Sequence, residues 1–139
     1  MGKSVHEIMT PNPCAIDADK PVAYAAKMMK DENVGLAPIV EGERLIGMLT
    51  DRDIVTQVVA ESRDPQSVTV REVASTNLVT IDPQQSLDEA LRLMASNQVR
   101  RLPVVEEDGR LVGVVAQADV AREAKEKETG ELVEEISKT

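Results

Sequence analysis

"LIGMLTDRDIV" (residues 45–55) recurs further along the chain as "LVGVVAQADVA" (111–121), each an apolar run with glycine third and aspartate ninth. Each copy reads as a short apolar strand that passes straight into a helix, starting at Asp51 or at Gln117. In the first copy Thr50 is placed as the N-cap. Its hydroxyl accepts from the backbone N–H of Asp53, and the acids of the first turn suit the positive end of the helix dipole. The same residues also suit a ligand, because the N–H groups of a helix start attract phosphate and a carboxylate one turn in accepts from sugar hydroxyls. From these residues alone both readings, cap and site, stay open.

Working outward, the whole chain proves to be duplicated. "VHEIMTPNPCAID" (5–17) lies over "VREVASTNLVTID" (70–82), and "VAYAAKMMKDENVGLAPIV" (22–40) lies over "LDEALRLMASNQVRRLPVV" (87–105). The offset is 65 until the turn "EGER" (41–44) meets the longer "EEDGR" (106–110), after which it is 66. A repeat of this period means two copies of one supersecondary unit, each too small to bury its apolar face alone. The reading divides the chain into residues 4–60, a polar linker 61–68, a second copy 69–122 and a charged tail 123–139.

Each copy has the same order. An extended entry (Cys14–Ile16, Val79–Ile81) leads to an amphipathic helix over 21–32 or 86–97, the second opened by the capping box Ser86-x-x-Glu89. Two apolar strands then flank a turn, which carries Asp108-Gly109 in the second copy, and a closing helix follows. These strands are too continuously apolar to face water, so helices must cover each sheet. In the linker region Ser67 is expected to cap a short helix running through Ala74. The tail is helix-prone, with Glu123 and Lys127 as a supporting pair, a break at Gly130, and Leu132, Val133 and Ile136 as an apolar stripe.

Composition narrows the function. The chain has 139 residues, a net charge of −9, a single cysteine (Cys14) and a single histidine (His6). One cysteine cannot form an internal disulfide, and one cysteine with one histidine cannot make a Cys/His four-ligand metal site. No charged-then-apolar leader and no membrane-length apolar run is visible, so a cytoplasmic protein off the membrane is expected. The negative charge opposes nucleic-acid backbones, and with one tyrosine and no phenylalanine or tryptophan there is no aromatic platform for bases. No nucleophile is paired in sequence with a base and no glycine-rich phosphate loop is present, so the chain does not read as an enzyme. Met28, Met29, Met48 and Met94 occupy apolar positions and read as core fillers.

The repeated Gly-apolar-apolar-Thr-x-x-Asp pattern, the "P-I/V-V" strands and the acidic or Asp-Gly turns resemble the cystathionine β-synthase (CBS) domain family over about residues 4–122. The resemblance implies an α/β (α+β) fold of two β-α-β-β-α units packed about a pseudo-two-fold axis. It also implies two clefts, each built across both units, that bind adenosine-containing ligands such as AMP, ADP, ATP or another adenosyl compound, and pairing of such tandems as homodimers. Carried over residue by residue, it makes Asp53 a ribose acceptor and puts Thr50 beside the phosphate. That cleft is completed by Ala74, Val79, Val99, Arg100 and Arg101, the valines flanking adenine and the arginines meeting phosphate. The opposite cleft keeps Asp119 but has Ala116 in place of the hydroxyl residue, and Gly35 and Leu36 where the other has arginines. Met9, Cys14 and Val34 complete it, and it is expected to be weaker, empty or suited to a less charged nucleoside.

Taken alone, Arg100-Arg101 reads as a solvated pair, Cys14 as a small buried residue and His6 as an exposed side chain. Two functions follow: a module that senses adenine nucleotide, requires no cofactor and regulates an unidentified protein through its conformation or oligomeric state, or a structural homodimer with no ligand in one or both clefts.

Overall fold

The computed structural model describes residues 2–125. The expectations for Lys127, Gly130 and the stripe Leu132, Val133 and Ile136 lie outside the described residues. In chain order the elements are α1 (Val5–Ile8), β1 (Thr10–Pro11), β2 (Ile16–Asp17), α2 (Val22–Glu32), β3 (Leu36–Glu41), β4 (Arg44–Thr50), α3 (Asp51–Ile54) with a π-helical continuation (Val55–Val59), α4 (Val70–Val73), α5 (Leu87–Asn97), β5 (Arg101–Val105) and β6 (Leu111–Ala116). A helical run over 117–125, here α6, closes the described residues.

The repeated helices form where their spacing demands. In α2 the residues Val22, Ala25 and Met29 face the core, and in α5 Leu87, Ala90 and Met94 do so. Both helices end on a left-handed residue, Asn33 and Gln98, each with φ 55°. Ser86 caps α5 by accepting from the Glu89 N–H at 3.2 Å, but the expected reciprocal half of that box is not made, because the Glu89 carboxylate pairs with Arg92.

Short helices open both copies, and the sequence reading located them incompletely. Ser4-x-x-Glu7 opens α1, the Ser4 N–H donating to Glu7 Oε2 at 2.7 Å. The matching α4 is capped by Thr69 rather than by Ser67, whose hydroxyl donates instead to Asp64 Oδ2 at 3.0 Å. Thr69 wins because Glu72 stands three residues on and completes a capping box, accepting from the Thr69 N–H at 2.7 Å. Hydrogen bonds from the Thr69 backbone and hydroxyl hold the Glu72 carboxyl below its ordinary pKa, with help from the nearby Arg63.

Two units result, each a three-stranded sheet with its own core. One consists of Asn12–Leu78 and Glu107–Leu111 and carries the order β2-β3-β4, with β2 parallel and β4 antiparallel to β3. We call it the first-copy unit. Its core gathers Ile16, Ala37, Ile39 and Leu49 from the strands with Val22, Ala25, Met29, Val58, Val70 and Val73 from the helices. The second-copy unit takes residues up to Pro11, then Val79–Glu106, then the chain from Val112, in the order β1-β6-β5. Its core gathers Leu102, Val104 and Val115 with Val5, Ile81, Leu87, Ala90, Met94 and Val120.

The spatial units therefore do not coincide with the sequence copies. Val5 of α1 lies in the core of the second-copy unit, and Val70 and Val73 of α4 lie in the core of the first-copy unit. The segment after α1 pairs with β6 (Thr10 opposite Val114), and the segment after α4 bridges β4 (Met48 opposite Ser75). Both crossings run over the repeated glycine. A Cβ on Gly113 would lie 2.5 Å from Met9 Sδ and 2.9 Å from the Thr10 carbonyl oxygen, and one on Gly47 would lie 3.1 Å from Ala74 Cβ and 3.2 Å from the Ser75 carbonyl.

Gly113→Ala should accordingly destabilise the fold by about 1–3 kcal/mol, because the Thr10 carbonyl belongs to backbone and cannot swing aside, and Gly47→Ala should cost less. Urea denaturation of the two variants beside the parent checks both the loss and its order.

Candidate functional site

The opening stretch is a reciprocal cap. Thr50 ends β4 in extended conformation, and its Oγ1 accepts from the Asp53 N–H at 3.0 Å while the Thr50 N–H donates to Asp53 Oδ2 at 3.0 Å. Both residues are half-buried. The cap uses one carboxylate oxygen of Asp53 and only the accepting side of the Thr50 hydroxyl, so Asp53 Oδ1 and the hydroxyl hydrogen remain for a ligand.

The joint between strand and helix is completed by the residues before β3. The Asp51 N–H donates to the Gly35 carbonyl at 3.0 Å, and Leu36 is the strand partner of Thr50. Asp51 is exposed, and its Oδ1 accepts from the Arg52 N–H at 2.8 Å. The N–H groups of Asp51, Arg52 and Asp53 are thus all satisfied within the first-copy unit. Ala74 in the same unit is half-buried at the end of α4, while Cys14 and Val34 are exposed, Cys14 contrary to the expectation of a buried thiol.

The second-copy unit builds the same joint from different side chains. The Gln117 N–H donates to the Arg100 carbonyl at 2.8 Å. Arg100, Arg101, Ala116, Gln117, Ala118 and Leu91 line an open cavity of about 620 Å³ at the start of α6. Ala116 offers no side-chain acceptor in the place of Thr50. Both arginines are exposed, and neither guanidinium has an ion-pair partner among the described residues. Asp119 is half-buried and accepts from Arg122 Nη2 at 3.0 Å on Oδ1, in a smaller cavity of about 220 Å³ that Lys3, Glu7 and Glu123 also line. Met9 packs over Gly113, Val79 packs against the core, and Val99 is 36 % exposed.

The residues expected for each cleft are therefore divided between units. Thr50, Asp53 and Ala74 belong to the first-copy unit, whereas Val79, Val99, Arg100 and Arg101 belong to the second. Cys14, Val34, Gly35 and Leu36 belong to the first, and Met9, Ala116 and Asp119 to the second. Within a unit, the structure brings Thr50 and Asp53 together with Gly35 and Leu36, and Arg100 and Arg101 together with Ala116 and Gln117. Asp51 and Gln117 were read in the sequence only as helix starts, although aligning residue 51 with 117 and residue 35 with 100 displays the difference in charge between the copies.

Among the described residues no three His, Cys, Asp or Glu side chains are grouped to hold a metal, and no helix is long and apolar enough to cross a membrane.

The CBS domain family model matches residues 5–60 and 70–126. A CBS domain-containing protein of Bacillus subtilis, YhcV, is 46% identical over 118 residues, covering 85% of this chain and 83% of the relative. Hypoxic response protein 1 of Mycobacterium tuberculosis is 37% identical over 134 residues, 96% of this chain and 93% of that one. A crystal structure of Hypoxic Response Protein I with two coordinated zinc ions superposes with a TM-score of 0.79 at 38% identity, covering 87% of this chain and 98% of the other. The CBS domain pair of MJ0100, solved in complex with 5′-methylthioadenosine and S-adenosyl-L-methionine, superposes with a TM-score of 0.75 at 26% identity, covering 90% of this chain and 98% of the other.

Thr50→Val keeps the volume and removes the capping hydroxyl, so it should lower stability by about 0.5–2 kcal/mol. Thermal denaturation without ligand measures this, and an unchanged midpoint would show that the helix start holds without its cap.

Proposed function

This chain belongs to the CBS domain family, and from that premise we propose that it is a regulatory module that senses adenosine-containing compounds and signals through conformation or oligomeric state to another protein. The observation that carries the reading is the cavity at the start of α6, where two adjacent arginines stand without ion-pair partners among the described residues in a chain of net charge −9. An exposed acidic protein has abundant carboxylates for such groups, so two unpaired guanidinium groups beside one cavity suit an anionic ligand such as phosphate. Asp53 and Asp119 each keep a carboxylate oxygen for ribose hydroxyls, and Val79 and Val99 offer apolar surface to adenine. The adenosyl ligands of the MJ0100 pair support the same ligand class. AMP, ADP and ATP are the nucleotides we propose; the module is cytoplasmic, needs no cofactor and performs no catalytic step.

The test is a titration of adenosine, AMP, ADP and ATP followed by calorimetry. Arg101→Ala should weaken nucleotide binding about 10- to 150-fold, as loss of a charge-assisted hydrogen bond of roughly 1.5–3 kcal/mol implies, and should barely affect adenosine. Asp53→Asn and Asp119→Asn, measured separately, identify which aspartate shares a ligand with the arginines. Unchanged nucleotide affinity in Arg101→Ala overturns the phosphate assignment.

A second reading, a structural homodimer without ligand, draws on Val55 and Val59 of the π-helical turn, which are 56% and 65% exposed. We propose the homodimer under both readings, because isologous pairing is the commonest way to cover such a face. Sedimentation at micromolar concentration, with and without AMP, should show a dimer; monomer in both conditions would sink it.

A further inference from the structure

The helix that starts at Asp51 departs from its counterpart after one turn. Val55–Val59 is π-helical and is closed by the Ala60 N–H donating to the Val55 carbonyl at 2.8 Å, whereas the matching residues 121–125 continue α6 as an α-helix. A sequence difference sits at the branch point. The Thr56 hydroxyl donates to the Arg52 carbonyl at 2.9 Å and so enters the helix ladder, while the matching Arg122 has no hydroxyl. Isolated π turns are rare and recur at functional sites. Across this one Val58 enters the core that also holds Val70 and Val73, and Gln57 Nε2 donates to the Val73 carbonyl at 3.2 Å. That carbonyl lies in the last turn of α4, where no donor of the helix itself reaches it. Gln57 stands four residues beyond Asp53, and Val73 immediately precedes Ala74. The second-copy unit joins its own two elements at the same position by other chemistry: Glu123, four residues beyond Asp119, pairs at 2.8 Å with Lys3, beside the Ser4 that opens α1.

We propose that Gln57 is a positioning residue for adenosine binding: by tying the helix that carries Asp53 to the end of α4, it fixes the ribose acceptor relative to Ala74. This inference rests on the adenosine-binding reading above, with Asp53 and Ala74 in one cleft, and adds the residue that sets their spacing. Asp53, Gln57, Val73 and Ala74 all belong to the first-copy unit, so the tie acts within one compact body. A ligand that touches two segments binds best when their separation is preset. Without the Gln57 bond the ligand itself has to order them, and that cost is subtracted from its affinity.

The experiment is calorimetry with adenosine and with 2′,3′-dideoxyadenosine on the parent, on Gln57→Met and on Gln57→Lys. Methionine keeps the length of the side chain and removes its donor, whereas lysine restores a donor to the last carbonyl of a helix. Both compounds are uncharged, so the added charge of lysine does not obscure the comparison. Dideoxyadenosine lacks the two hydroxyls that Asp53 accepts from, and therefore does not depend on where Asp53 is held. Gln57→Met should weaken adenosine about two- to tenfold, as loss of one neutral hydrogen bond implies, and change dideoxyadenosine by less than about twofold. Gln57→Lys should recover most of the lost affinity. Equal losses for the two compounds, no loss for adenosine, or a lysine variant no better than the methionine one overturns the inference and leaves the adenosine reading standing. A parent that binds neither compound, or binds both equally, overturns the ribose acceptor itself, and the inference with it.

Discussion

Everything in this molecule hangs on the close passage of one backbone over a glycine. The glycine of each second strand, Gly47 or Gly113, has a neighbouring segment so near that a Cβ would press on Ala74 and Ser75 in one unit and on Met9 and Thr10 in the other. That passage lets β1 extend the sheet of the second-copy unit, and lets Ser75 bridge β4 in the first. It also seats α1 and α4 so that Val5, Val70 and Val73 close the two cores. Each small sheet gains its cover from the segment that opens the other copy, which is how units of this size bury an apolar face they could not bury alone.

With the cores matched, the copies were free to diverge at the strand-to-helix joint. The joint itself is one backbone hydrogen bond, made at 3.0 Å by Asp51 and Gly35 and at 2.8 Å by Gln117 and Arg100, and it places no demand on the side chains of those residues. The first copy spends its side chains on closing the helix start, through Thr50, Asp51 and Asp53. The second leaves Ala116 without an acceptor and surrounds the same place with guanidinium groups. A duplicated backbone thus carries two different electrostatic environments, and chemistry can diverge there without any change in packing.

The capping pattern shows how much of this was legible. Ser or Thr followed three residues on by an acid opens α1, α3, α4 and α5, and each of these starts is visible in the string of residues. Ser67 was the misreading, because a lone serine near a helix is outbid by a threonine that has its acid in place. Thr50-x-x-Asp53 posed the choice between cap and site, and the geometry shows the cap made, taking one oxygen of the carboxylate and leaving the other.

The sequence by itself determined the duplication, the two long helices with their apolar faces, and the strands and their turns. These are local facts, set by periodicity, capping and the offset between copies. Only the tertiary structure decided that the entry segments are exchanged between units and that Arg100 and Arg101 stand at the start of α6. The physical reason is that a segment completing a sheet bonds through its backbone, which is the same in every residue. An alignment of side chains therefore shows that two segments are equivalent, and it takes the packing of Val5, Val70 and Val73 to select which sheet each one joins.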